Sequence, residues 1–248
     1  MSDGYVHGYD SRENVRLHNQ ASSLIELLHC DTSYPAGSRV LEAGCGVGAQ
    51  TVTLARNSPN ASITSIDLSE ASLGEAKRSV EAAGITNVQF QQADIFHLSF
   101  EPESFDHVFV CFVLEHLSQP VEALVILKKL LKTGGTATVI EGDHGSTYFY
   151  PHSEPARQAI GAQVELQKRA GGNALIGREL YPLLCKAGFD SVHVSPRMVY
   201  VDSSKPDLVD GFTKKTFTAL IERGLIDDVG FDGGFADAFD HGREGFLR

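Results

Sequence analysis

Long apolar runs are missing from this chain. The longest, Val108 to Leu114, falls far short of the roughly 20 residues that cross a bilayer as a helix. The opening residues, MSDGYVHGYDSRENVRL, contain no basic segment followed by an apolar one and do not read as an export signal. A cytoplasmic protein without a membrane span is the expectation. Positive charge is also scarce: 21 Lys and Arg face 32 Asp and Glu, for a formal charge of −11. Binding nucleic acid through bulk charge needs a basic face that releases counterions from phosphates, and this balance argues against it. Cysteines are few. Cys30, Cys45, Cys111 and Cys185 lie 15, 66 and 74 residues apart, with neither paired metal-ligand spacing nor a dense disulfide framework. No metal is implied.

What remains is ordinary globular material. The 248 residues are 42% apolar and 21% charged, enough for one self-sufficient domain, plain or with an elaborated subdomain.

From Ser38 onward, short β-branched runs alternate with longer helical patterns, the signature of a doubly wound α/β sheet with parallel strands. SRVLEA (38–43) ends in a glycine-rich turn, and SITSID ends in Asp67, with Ser69 placed to cap the next helix. Leu73, Ala76, Val80 and Ala83 recur at helical spacing, and Gly84 closes that helix. NVQFQQAD (87–94) reads as a third strand and FDHVFVCF (105–112) as a central fourth. After Pro120, the stripe Val121, Leu124, Leu127 and Leu131 predicts a helix stopped by Gly134-Gly135, and GTATVIEG (135–142) a fifth strand. Helices are expected around 154–170, 177–187 and 206–223, and SVHVSPRMVYVD (191–202) as a strand or hairpin arm. The organisation predicted is an N-terminal helical lid over 1–37, a binding core over 38–142, and an acceptor-side segment with an acidic tail over 143–248.

The chemistry concentrates at Glu42-Ala43-Gly44-Cys45-Gly46-Val47-Gly48, a strand-to-helix turn, with Asp67 ending the next strand. In a doubly wound sheet these strand ends share one crevice, so glycines admit a nucleoside while the carboxylate accepts from its ribose hydroxyls. Gly44-x-Gly46-x-x-Ala49 also fits the permissive dinucleotide fingerprint. Against that reading, Glu42 would put a negative charge beside a pyrophosphate, whereas a cationic ligand would be compatible with it.

VLEAGCGVGAQT, SIDLS, QQADIF, FDHVFVCFVLEHL and LLKTGGTATVIEG, in this order, resemble the class I S-adenosylmethionine-dependent methyltransferases, in particular the small-molecule branch with the ubiquinone and menaquinone C-methyltransferases. The resemblance covers residues 38 to 142. It implies a Rossmann-like fold with S-adenosyl-L-methionine as cofactor. Glu42, Gly44, Cys45 and Gly46 would line its methionine side, Asp67 and Leu68 the ribose and adenine, and Asp94 and Ile95 the adenine amine and face. Cys111 and Phe112 would flank the methionine carboxyl, while Arg16 and Gln20 close over the cofactor. The lesser reading of Asp94 is a loop cap, and the rival reading of Cys111 is an inert apolar wall. The family's seventh strand, antiparallel between the fifth and sixth, has no counterpart in the acidic, glycine-rich tail. The chain is therefore expected to stop before it.

Methyl transfer from a sulfonium is an in-line displacement that needs alignment more than activation, although a hydroxyl or amine acceptor can need a base. Glu141, Asp143, His144, Tyr148, Tyr150 and His152 follow the fifth strand. Of these, His144 is the first candidate base, with Asp143 and Tyr148 beside it as catalytic candidates. His116, in LEHL, reads as an orienter of its loop, and Tyr5, His7, Tyr9 and His18 as lid residues. The aromatics predict a small, flat or partly apolar acceptor. Oligomeric state is left open, a homodimer included. The rival functions are an NAD(P)-dependent oxidoreductase and a catalytically silent, methyltransferase-like binding protein.

Overall fold

The computed structural model describes residues 24–201 apart from 149, 151 and 153. The expectations for Arg16, Gln20, Tyr5, His7, Tyr9 and His18, and for the segment 202–248 with its helix and missing strand, lie outside the described residues.

Five parallel strands form one sheet in the order β3-β2-β1-β4-β5. They are β1 (Arg39–Ala43), β2 (Ser62–Asp67), β3 (Val88–Gln92), β4 (Phe105–Cys111) and β5 (Leu131–Ile140). Connecting them are α1 (Thr51–Asn57), α2 (Glu70–Ala82) and α3 (Pro120–Leu130), followed by α4 (Glu154–Arg169) and α5 (Leu180–Lys186). A helical segment over 24–29 precedes the sheet.

Strand alternation sorts the core into two layers. Leu41, Ala43, Val108 and Val110 point to one face and pack with Leu124 and Leu127 of α3 and Leu180 of α5. Val40, Ile63 and Phe109 point to the other and pack with Leu54 and Ala55 of α1. The segment before β1 covers that second face, where His29 stacks on Phe109 with ring centroids 5.7 Å apart. Arg197 fastens the segment from the far end of the chain, donating to the carbonyls of Leu27 and Leu28 and to Asp31.

Most of the expected elements form for the expected reasons. Ser69 caps α2 by accepting from the backbone N–H of Ser72, and Gly84 follows that helix with a φ of +69°. Two expectations are corrected. Gly134 and Gly135 do not end α3, which stops at Leu130; they lie inside β5, where the register jumps from Phe105 opposite Leu131 to His107 opposite Thr136. A bulge of this kind needs residues without side chains, and a Cβ on Gly135 would lie 2.8 Å from the Asp106 carbonyl. Nor do residues 192–201 form a strand; they carry no ladder pairing among the described residues, with Met198 and Tyr200 largely exposed. Their β-branched composition suits a strand, but no described neighbour supplies the ladder.

Candidate active site

The strand order reverses at β1, which lies between β2 and β4, and the crevice at such a switch point is where α/β sheets bind ligands. The turn after β1 is held from β2: the N–H groups of Gly44 and Cys45 both donate to the Ile66 carbonyl, at 2.8 and 2.9 Å. Gly44 has a φ of +76°, and a Cβ there would lie 2.5 Å from Cγ2 of Val113 in the loop after β4. Gly46 differs. Its φ is +53°, yet a Cβ would meet nothing within 4 Å, so open space lies over this part of the turn.

Asp67 bridges that turn to the start of α2. Its Oδ2 accepts from the Gly46 N–H at 2.8 Å and its Oδ1 from the Ser69 N–H at 2.9 Å. Each carboxylate oxygen keeps a second lone pair, which matches the two hydroxyls of a ribose. Leu68 beside it is 65% exposed, an apolar surface suited to the face of a heteroaromatic ring. Ile95 is buried. The donor set and the room over Gly46 fit an adenosyl group, and Asp67, Gly46 and Leu68 are the residues that would hold it.

Glu42 lies below the turn, not at its surface. It is 2% exposed, and its Oε2 accepts from the hydroxyls of Thr51 at 2.8 Å and Ser65 at 2.6 Å. Burial pushes its carboxyl up to about 7, against the two hydroxyl donors. The carboxylate expected beside the loop is buried beneath it, where Glu42 joins β1, β2 and α1 through Ser65 and Thr51. Asp94 takes the capping role: its Oδ1 accepts from the Phe96 N–H at 2.9 Å, and its Oδ2 lies 2.9 Å from His97 Nδ1. Both thiols are pushed up, that of buried Cys45 by burial and the charges of Glu42 and Asp67, that of half-buried Cys111 by desolvation and the nearby glutamates. They are inert walls at neutral pH. Phe112, with a φ of +56°, turns the chain out of β4 while its N–H donates to the Ile140 carbonyl. Non-glycine residues seldom adopt that conformation, and those that do cluster at functional sites.

Beyond β4 and β5 the structure separates the catalytic candidates. Asp143 faces Arg178, accepting at 2.9 and 2.7 Å, and also accepts from the Ser146 hydroxyl at 2.6 Å. Partial burial opposes its ionisation, but those donors hold the carboxyl below the usual range. Tyr148 and Tyr150 are 88% and 85% exposed, and His152 pairs at the surface with Glu154.

His144 and Glu141, by contrast, meet a residue the sequence reading passed over, Glu115. His144 Nε2 lies 3.6 Å from Glu115 Oε2, and its Nδ1 lies 3.5 Å from Nε2 of Gln163 on α4. Glu141 accepts from the N–H groups of Val113, Leu114 and Glu115 at 2.9, 2.8 and 3.4 Å. Burial and the Glu115 charge push Glu141 up to about 8, against those three donors. Burial also opposes ionisation of Glu115, but His144, His116 and Gln167 together bring it down to about 2. His116 Nε2 lies 3.6 Å from Glu115 Oε1, so it belongs to the same cluster. A signal for Glu115 was present: an acid between Leu114 and His116, directly after a buried strand. Gln163 and Gln167 were also legible, as polar residues continuing the buried helical stripe of Ala156 and Ala159.

A family model described as "Methyltransferase domain" matches residues 35–188. Among relatives, the chain is 32% identical over 187 residues to an uncharacterised 37.1 kDa protein in transposon Tn4556 of Streptomyces fradiae, covering 74% of this chain and 53% of the relative. It is 30% identical over 134 residues to a demethylmenaquinone methyltransferase of Staphylococcus aureus, covering 54% of this chain and 55% of that one. The chain thus spans about half the length of these relatives. A solved S-adenosylmethionine-dependent methyltransferase of Aquifex aeolicus superposes with a TM-score of 0.57 at 17% identity, covering 77% of this chain and 94% of that one, which shows the shared fold. The match runs from the segment before β1 to the end of α5, across the glycine turn and Asp67, and the chain belongs to the methyltransferase-domain family.

Proposed function

We propose that this protein transfers a methyl group from S-adenosylmethionine to a small, aromatic or partly apolar acceptor, with His144 taking a proton from the acceptor. The observation that carries the reading is the Asp67 bridge between Gly46 and Ser69 at the switch point, with a lone pair left on each oxygen. When bound, S-adenosylmethionine supplies an electrophilic methyl carbon on a sulfonium, so the protein has to align and desolvate more than activate. In this reading Asp67 and the glycine turn orient the nucleoside, and Phe112 and Val113 form the wall between donor and acceptor. In this reading residues 38–142 act as the cofactor core and 143–248 shape the acceptor side.

Thermal shifts with S-adenosylhomocysteine and NADH, measured side by side, test the donor. Stabilisation by the first alone is expected, and Asp67→Ala should abolish it. Stabilisation by NADH alone would refute the reading. Transfer of label from methyl-labelled S-adenosylmethionine across a panel of aromatic acceptors then tests the acceptor.

A further inference from the structure

The stretch of chain before β1 grips α1 at both ends. At the front, His29 Nε2 lies 2.7 Å from Oε1 of Gln50, the N-cap residue of α1, just past the glycine turn. At the back, Asn57 Nδ2 donates to the Thr32 carbonyl at 3.2 Å, and the Tyr34 N–H donates to the Ser58 hydroxyl at 3.0 Å. What is gripped bears on the cofactor turn. Thr51, which opens α1, donates to Glu42 beneath the glycines, and Leu54 and Ala55 pack on the face of Val40 and Phe109.

The rear contacts are uncharged, whereas the front one runs through an imidazole. His29 is 4% exposed and stacks on Phe109, and its Nδ1 has no hydrogen-bond partner among the described residues. The Gln50 amide oxygen accepts, so Nε2 carries the hydrogen of the neutral ring and Nδ1 is a bare, buried lone pair. A second proton would bury an N–H without an acceptor and a charge without a matched partner. The charged groups acting on the ring are Asp31 on its own segment and Arg197, which pair with each other at 2.6 Å; Phe109 of β4 and Gln50 before α1, packed on it, are uncharged. Burial therefore holds the imidazole below its ordinary value, with the Arg197 charge adding to it, against Gln50 and Asp31.

We propose that neutral His29 is a positioning residue that, through Gln50, couples the seating of residues 24–34 on the sheet to the affinity of the glycine turn for its cofactor, and that protonation of His29 releases both. The inference rests on the reading of that turn as the adenosyl site. The coupling is reciprocal: a seated segment that steadies the turn is itself steadied by a bound cofactor, by the same factor. Its sign with pH follows from the burial. Unseated, His29 takes up a proton at its ordinary 6.5; seated, it does so only at lower pH, so acidification through that range favours unseating. Cofactor affinity falls with it.

Three measurements on the full chain test it. S-adenosylhomocysteine should slow amide exchange at 24–34 as well as at the glycine turn in the wild type, and at the turn alone in His29→Ala. Exchange at 24–34 that ignores the ligand in the wild type, or protection there that survives in His29→Ala, would overturn the coupling. In a double-mutant cycle, His29→Ala and Gln50→Ala should each weaken S-adenosylhomocysteine binding about tenfold, and together no more than either alone. Losses that multiply would show that the two residues act separately. His29→Gln keeps an N–H donor for Gln50 but takes up no proton. It should recover most of the affinity lost in His29→Ala at about pH 7.5, and lose about fivefold less than the wild type on going to about pH 5.5. The buried glutamates titrate alike in both proteins and cancel in that comparison. Parallel pH profiles would remove the proton from the device, and this readout stands even if the alanine variants do not fold. Absence of any S-adenosylhomocysteine binding would instead refute the donor reading, while acid-induced exchange at 24–34, wild type against His29→Gln, still decides the role of His29.

Discussion

Val113 rests on Gly44 across the crevice, so closely that a methyl group on the glycine would lie 2.5 Å from the valine Cγ2. The same valine donates its N–H to Glu141 at 2.9 Å. Through these two contacts the carboxyl ends of β1, β4 and β5 form one packed unit, and the loop that carries Glu115 is set by both.

Gly44→Ala therefore adds a clash to a strained φ of +76°. We expect it to lower stability by about 2–4 kcal/mol in denaturant unfolding, combining the overpacking and backbone terms. The stabilisation by S-adenosylhomocysteine should also be lost, because the turn has to move away from Val113. An alanine variant with unchanged stability would show that the loop gives way freely.

Glu141→Gln keeps the size of the side chain but replaces one of the two carboxyl oxygens on which three N–H groups converge with an NH2 that cannot accept. Loosening of the loop by about 1–3 kcal/mol is expected, visible as faster amide exchange at Val113 and Leu114, with the exchange of β1 amides much less changed.

Stability should fall as pH rises from about 4.5 towards 7. Glu42 moves from an ordinary value of 4.5 to about 7 in the folded chain, and Glu141 to about 8, both because of burial. Between those limits the folded state binds more protons than the unfolded one, so raising pH favours unfolding. The Glu42 part is complete once pH passes its folded value. Glu115 acts the other way, since a folded value of about 2 adds stability as pH rises from there to 4.5. Melting temperatures from pH 4.5 to 8 check this, and Glu42→Gln should flatten the fall up to about pH 7. A slope unchanged in that variant would assign the titration elsewhere.

Tyr148→Phe should leave turnover within about twofold of wild type, because a phenol 88% exposed to solvent contributes little. His144→Ala, assayed beside it with the same acceptor, should lose activity about 100-fold while keeping cofactor binding. Loss in the tyrosine variant alone would reverse the roles assigned to the two residues.

The strand-helix alternation, the glycine turn and the acid one strand over were readable along the chain because each is local. Periodicity of 2 and 3.6 residues sorts the core faces, the backbone at Gly44 and Gly46 needs residues without a Cβ, and Asp67 lies at the carboxyl end of its own strand. The placement of Gly134 and Gly135 was not readable, since a helix stop and a strand bulge demand the same residue and only the register of β4 against β5 distinguishes them. Tertiary structure alone decided which polar residues after β5 act together. Neighbours in sequence, Asp143 and His144 leave the strand in different directions, one towards Arg178 and the other towards Glu115. Glu115, 29 positions before His144, reaches it because β4 and β5 are adjacent parallel strands whose ends open into the same crevice. Chain order carries no record of that meeting, which the two glutamines of α4 flank, Gln163 at His144 and Gln167 at Glu115.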